Sequence, residues 1–242
     1  MSFAPTNTRI LIAVTATVVT ALAVIGNSWS GLPGSDFALW ILLCVLGEAM
    51  WVRLPVGNAT LSMAVTANFA AMLLLPPGHA LAAIAIATVI AEATLMRKSP
   101  LRFAFNASQS MLAAAAGIAV IELLGGMVFE PRSFGFAQGF ACLAGAATYT
   151  LVNTMAVSMM IGIEQRMSVF RAWRTNFANT YEVISNAALF ALGVVLALLI
   201  RLNGPAAVVL VGLPVVLAWI SYRHVLGAAA ESGDDCDERD AA

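Results

Sequence analysis

Long apolar runs dominate this chain and restrict what it can fold into. Of its 242 residues, 61% are hydrophobic and only 10% are charged, which leaves too little polar surface for a soluble domain of this length. Runs bounded by charge, proline or glycine predict about eight helices, at 10–28, 37–52, 61–75, 79–96, 107–129, 137–163, 182–200 and 205–221. The sequence therefore predicts an all-α, polytopic transmembrane helical bundle over residues 1–226.

The third of these segments is short. A helix over residues 61–75 would be about 22 Å long at 1.5 Å per residue, whereas the hydrocarbon core of a bilayer is about 30 Å thick. We expect a half-length or re-entrant element here, joined to the fourth segment through Pro76-Pro77-Gly78.

The basic residues predict an orientation. If the N-terminus is cytoplasmic, ten of the twelve Lys and Arg residues fall inside and only Arg132 and Arg201 fall outside. This bias matches the positive-inside rule and places both termini in the cytoplasm. Residues 227–242 are small and acidic, which predicts a disordered cytoplasmic tail.

Two segments close with a Glu-Ala pair followed by an arginine and then a proline: Glu48-Ala49, Arg53 and Pro55 in the second, and Glu92-Ala93, Arg97 and Pro100 in the fourth. The repeat is either a weak duplication of a helical pair or a coincidence. A carboxylate inside a membrane segment costs several kcal/mol unless it is paired, hydrated or protonated. An arginine five residues further on lies on a different helix face, so we expect each partner on another helix or in the Arg97 to Arg102 cluster. A structural ion pair and a ligand or proton site both remain open.

Polar residues also open the fifth segment and lie inside later ones. Asn106 and Gln109, one turn apart, either bind a polar ligand or cap the helix. Interhelical hydrogen bonds explain the polar band around Asn153 and the Glu182 and Asn186 pair. The candidate ligand or relay residues are Glu48, Glu92, Arg97, Arg102, Asn106, Gln109 and Asn153.

The sequence carries no motif of a soluble catalytic or metal site. His79, expected in a short outer loop, and His224 lie on opposite sides of the predicted membrane, and neither belongs to a metal-binding spacing. Lys98, the only lysine, lies in a loop, which argues against an intramembrane Schiff base. A short amphipathic helix around Phe170 and Trp173 is expected at the inner interface, and its basic residues are too few for nucleic-acid binding. We therefore expect no enzyme activity, cofactor, metal or nucleic-acid partner.

Several short motifs resemble the multi-pass N-terminal membrane region of bacterial HD-GYP and GGDEF signalling proteins. They are the run Gly47–Gly57, Leu61-Ser62, Leu73–Gly78, Arg97–Pro100, Phe105–Gln109 and Leu151–Thr154. The resemblance implies a sensor in the bacterial inner membrane, and the output domain of that family is missing after about Gly227. The chain would then be a non-catalytic sensory, signalling or scaffold module that acts through a separate protein partner.

A second resemblance implies a different function. Leu54–Gly57, the short third segment and the Pro-Gly turn are similar to the substrate-binding membrane subunits of energy-coupling-factor transporters. This alternative implies a subunit that binds a small solute. The expected partners are thus the lipid bilayer, a signalling or transport protein and a small-molecule ligand, with a homo-oligomer as a further option.

Overall fold

A computed structural model describes residues 6–31, 34, 36–53, 60–125, 134–217 and 219–221 of the chain. These residues form a helical bundle with one small β-hairpin. The helices are α1 (Thr6–Ser28), α2 (Phe37–Ala49), α3 (Ala64–Leu74), α4 (Pro77–Ile90), α5 (Pro100–Leu123), α6 (Phe136–Gln165), α7 (Val169–Asn176) and α8 (Thr180–Asn203). A π-helical turn, Ala91–Leu95, continues α4, and a last apolar helix, Pro205–Ser221, begins with the 3-10 turn Pro205–Ala207.

Five helices are long and apolar enough to cross a membrane: α1, α4 with its π turn, α5, α6 and α8. The helices α2 and α3 and the last helix are apolar but shorter. The prediction of an all-α bundle with transmembrane helices is confirmed at this level. The predicted tail, 227–242, lies outside the described residues.

The helix α3 lies in the middle of the bundle, and nearly all of its residues are buried. Its Thr66 hydroxyl donates to the Leu189 carbonyl of α8 at 3.1 Å, and Phe69 packs edge-to-face on Phe190. A polar group that is shielded from water must find such a partner. These contacts fix α3 against α8.

Small residues let α5 approach α6 closely. A Cβ atom on Gly145 would lie 2.5 Å from Ile121 Cγ1, and one on Gly117 would lie 3.1 Å from the Gly145 carbonyl oxygen. Small residues at a helix interface are typical of membrane bundles, where packing rather than hydrophobic burial holds the helices together.

The bundle has two distinct ends. One end, the hairpin end, carries the strands β1 (Trp51–Arg53) and β2 (Thr60–Ser62), which pair antiparallel with Trp51 opposite Ser62. At the opposite end, the end of α1 touches the start of α4, because a Cβ on Gly78 would lie 2.5 Å from the Ser28 carbonyl oxygen.

Several element boundaries differ from the prediction. The second helix ends at Ala49 rather than 52, and the chain turns into β1, a hairpin that the apolar pattern did not predict. The fourth ends in a π turn. The fifth begins at Pro100, seven residues earlier than expected, because proline is favoured in the first helical turn.

The early start of α5 corrects a second prediction. Asn106 and Gln109 lie inside the helix and do not cap it, since the N-cap position is Ser99. The Pro55 part of the first Glu-Ala pattern lies outside the described residues.

Candidate functional site

A polar cavity of about 430 Å³ lies at the hairpin end of the bundle. We call it the polar cavity, and its polar lining residues are Glu48, Ser62, Asn68, Thr88, Glu92, Lys98, Asn106, Gln109, Ser110, Tyr149, Thr150, Asn153, Thr154, Gln165, Asn176, Glu182 and Asn186. The volume is within the usual range of ligand pockets, about 300 to 1,000 Å³. Helices α2 to α8 all contribute side chains to it.

The structure brings five of the seven candidate residues together in this cavity: Glu48, Glu92, Asn106, Gln109 and Asn153. The other two, Arg97 and Arg102, are exposed and do not line it. Both Glu-Ala pairs therefore end at the same cavity. Within the Arg97 to Arg102 cluster, it is Lys98 that lines the cavity.

Glu92 is 5% exposed and is held by a lysine and an amide. Lys98 Nζ lies 2.5 Å from Glu92 Oε1, and Asn106 Nδ2 lies 2.8 and 2.9 Å from its two carboxylate oxygens. Lys98 belongs to the Arg97 to Arg102 cluster and Asn106 lies on another helix, so the expected kinds of partner do contact Glu92.

The backbone after α4 explains why Lys98 can reach Glu92. Arg97 has a φ of 51°, a left-handed conformation that reverses the chain. The reversal lets the Lys98 amide donate to the Glu92 carbonyl at 2.9 Å, so both ends of Lys98 contact the same residue. Helical periodicity carries no signal for this turn.

Glu48 is held through the hairpin. The Ser62 hydroxyl donates to Glu48 Oε2 at 3.1 Å, and Ser62 Oγ also accepts from the Ala64 amide, 3.1 Å away, at the start of α3. The helices approach closely here, since a Cβ on Gly47 would lie 2.5 Å from Ala64 Cα. The hairpin thus places Glu48 beside the first turn of α3.

The remaining acidic group comes from the first turn of α8. Asn179 caps this helix by accepting from the Glu182 amide at 2.8 Å, and Asn186 Nδ2 donates to Glu182 Oε1 at 2.9 Å. The Glu182 and Asn186 pair therefore bonds within one helix, which corrects the expectation of an interhelical contact. In the polar band of α6, Thr154 does bond to another element, since Trp173 Nε1 of α7 lies 3.0 Å from its hydroxyl oxygen.

Several buried oxygen atoms around the polar cavity have no hydrogen-bond partner among the described residues: Asn68 Oδ1, Gln109 Oε1 and Glu182 Oε2. Each parent side chain is at least nine-tenths buried. An unsatisfied buried acceptor costs about 1 to 3 kcal/mol, and more when the group is charged. These three acceptors therefore lack donors among the described residues.

The charges of the lining residues agree with this shortage. Among the described lining residues, three carboxyl groups, Glu48, Glu92 and Glu182, accompany one ammonium, Lys98, so this part of the lining carries a net charge of −2 when fully ionised. Within the described ranges, no group of three or more His, Cys, Asp and Glu could hold a metal ion.

His79 does not belong to this site. The structure places it in the first turn of α4, 4% exposed, with its ring 4.7 Å from Trp29 and 6.0 Å from Phe37. The predicted loop position is therefore wrong, because α4 begins at Pro77. His224 lies outside the described residues.

An apolar cleft of about 600 Å³ lies next to the polar cavity, between α6 and α8. We call this space the apolar cleft. Its main lining residues are Phe69, Cys142, Leu143, Ala146, Ala147, Leu151, Trp173, Val183, Ala187, Phe190, Ala191 and Val194. Thr150, Thr154 and Asn186 line both spaces. A polar and an apolar compartment therefore meet at three shared side chains.

The short helix α7 covers the junction. Its Trp173 lines the apolar cleft, Asn176 lines the polar cavity, and Ala172 is buried against the bundle. The opposite face is open, with Phe170 64% exposed and stacked at 6.1 Å on Trp173. The predicted short helix is thus present, and its Trp173 has a specific contact with α6.

Comparisons with known proteins leave the family open. No protein-family model, curated protein or solved structure matches the chain. The two resemblances seen in the sequence therefore remain hypotheses.

Proposed function

We propose that this chain is a non-catalytic membrane protein that binds a small polar solute in the polar cavity. The observation that carries the proposal is the set of three buried acceptor oxygens without a partner, on Asn68, Gln109 and Glu182. Buried polar groups in folded proteins nearly always have partners, and exceptions call for a ligand, ion or water. This function corresponds to the solute-binding alternative.

The experiment is native mass spectrometry of the protein released from membranes. We expect a stoichiometric small molecule on the wild type, lost from Gln109→Leu, because Gln109 lines the cavity and its carbonyl oxygen has no other partner in the described structure. Arg102→Ala is the matched control on the same helix, since Arg102 is exposed and outside the lining. An unloaded wild type, or equal loss from both variants, contradicts the proposal.

We further propose that the chain crosses a bacterial inner membrane about eight times, with both termini and the hairpin end in the cytoplasm. The support is the distribution of basic residues together with the five long apolar helices. Cysteine labelling tests it: Ser35→Cys should react with an impermeant reagent from outside and Ser99→Cys only from inside. The reverse pattern excludes this orientation.

A sensor or scaffold module is the second candidate, and α7 favours it. This helix is exposed on one face, carries Arg171 and Arg174, and is bonded to α6 through Trp173 and Thr154. A solute in the polar cavity would alter that contact, and a protein partner bound to the exposed face would detect the change. Photocrosslinking from position 170 in native membranes should then trap one partner in a solute-dependent manner. A crosslinking pattern that does not respond to the solute removes this candidate.

A further inference from the structure

The polar cavity and the apolar cleft together indicate the chemical class of the solute. We propose that the ligand is a small amphiphilic amine, with its ammonium group in the polar cavity and its apolar part in the apolar cleft. This inference rests on the proposed solute-binding function and goes beyond it, because it states which chemistry each half of the site recognises.

The acceptor oxygens and the negative charge of the polar cavity indicate that it binds an ammonium group. Around the polar cavity, the described buried side-chain atoms that lack a partner are all oxygens, and Glu182 Oε2 of the ionised carboxylate is an acceptor however the neighbouring amides are oriented. An ammonium supplies three donors and one positive charge, against a lining with three carboxyl groups and one lysine. An anion or a neutral acceptor would leave these oxygens unsatisfied.

The apolar end follows from the position of the cleft. The shared residues Thr150, Thr154 and Asn186 form the border between the two compartments, so one molecule can occupy both. Leu143 and Val183 lie at the exposed side of the cleft, 67% and 64% accessible. In a membrane protein this opening faces lipid, which gives an amphiphile a lateral route into the site.

The same charges argue against an aminophospholipid as the occupant. Its phosphate would follow the amine towards a lining with three carboxyl groups, where like charges repel. A small amine with an uncharged apolar part avoids this cost.

The test measures binding to the whole protein in phosphatidylcholine nanodiscs. The probes are methylammonium, butylammonium and butanol. Each additional buried methylene is expected to raise affinity about fourfold, so butylammonium should bind roughly 50-fold more tightly than methylammonium. Butanol should bind more weakly than butylammonium, because it lacks the charge.

Two variants separate the compartments. Ala187→Trp fills the cleft and should abolish the advantage of the butyl chain without changing methylammonium affinity. Ala188→Trp is the control, since Ala188 is exposed on the same helix outside the cleft. Glu182→Gln keeps the shape and should weaken both amines at least tenfold while leaving butanol unchanged.

The outcomes are distinct. Equal affinity for the two amines overturns the amphiphile and leaves solute binding intact, and butanol binding as tightly as butylammonium overturns the ammonium. Loss of butylammonium binding when phosphatidylethanolamine is added to the nanodiscs identifies an aminolipid and overturns the small amine. Failure of every probe also overturns this inference, whereas the proposed function is decided separately, by whether the native protein carries a solute and loses it in Gln109→Leu but not in Arg102→Ala.

Discussion

The contact between Glu92 and Lys98 can be tested by a double-mutant cycle with Glu92→Gln and Lys98→Met, made singly and together. Both substitutions approximately preserve side-chain length and remove charge. In the wild type, the Glu92 carboxylate accepts from Lys98 Nζ and from Asn106 Nδ2. Lys98→Met leaves a buried carboxylate with only the amide, whereas the double variant leaves a neutral amide pair at positions 92 and 106.

The structure sets the expected magnitude. Hydrogen bonds inside membrane proteins contribute about 0.6 kcal/mol on average, and charge-assisted bonds are roughly twice as strong as neutral ones. The Lys98 side chain is 33% exposed, so water screens part of its attraction to Glu92. We therefore expect a coupling free energy of about 1 to 2 kcal/mol, within the usual range for contacting residues. Lys98→Met alone should be the most destabilising of the three variants.

The assay is reversible unfolding in mixed micelles, followed by circular dichroism, with the free energy of unfolding compared across the four proteins. A cycle of Glu92→Gln with Arg102→Met is the control, because Arg102 is exposed and outside the cavity lining. The control changes should add within about 0.5 kcal/mol. If the changes in the free energy of unfolding were also additive within about 0.5 kcal/mol in the cycle of Glu92 and Lys98, Lys98 would not stabilise this carboxylate.

Two further contacts give simpler predictions. Gly145→Ala should lower the free energy of unfolding by about 1 to 3 kcal/mol, because the new methyl would lie 2.5 Å from Ile121 Cγ1. The control is Gly139→Ala, which should be nearly neutral because nothing lies within 4 Å of its Cβ. Equal effects of the two substitutions in thermal unfolding would contradict this packing. Trp173→Phe should lower the free energy of unfolding by about 1 kcal/mol, because the hydrogen bond to the Thr154 hydroxyl is lost. Adding Thr154→Val to this variant should lower the free energy of unfolding little further. Fully additive losses would show that the two side chains do not interact.

The sequence was sufficient to locate much of the polar cavity. Glu48, Glu92, Asn106 and Asn153 interrupt apolar runs, and a polar group in such a run must face the bundle interior or a partner. The desolvation cost therefore makes these residues converge whatever the details of packing. The same reasoning gave the helical class of the chain, because membrane-length apolar runs permit few other structures.

Other parts of the site could not be predicted, for identifiable reasons. Lys98 reaches Glu92 because Arg97 adopts a positive φ, and this conformation is not encoded in helical periodicity. Ser62 contacts Glu48 through a hairpin that lies between two apolar runs and resembles their continuation. The apolar cleft depends on the gap between α6 and α8, and residues facing that gap have the same composition as residues facing lipid.

The glutamates of the two Glu-Ala pairs line one cavity but differ in their hydrogen-bond partners, and this difference suggests separate roles. Glu92 accepts from two side chains, one of them a cation, so its charge is largely compensated. Among the side chains that the structure describes, Glu48 accepts only from a neutral hydroxyl, Ser62, and Glu182 keeps one carboxylate oxygen without a partner. A donor brought by a ligand would therefore gain more at Glu48 and Glu182 than at Glu92. The Glu92 cluster then serves as fixed support between α4 and α5, while the two less satisfied carboxyl groups are the ones expected to hold the ligand.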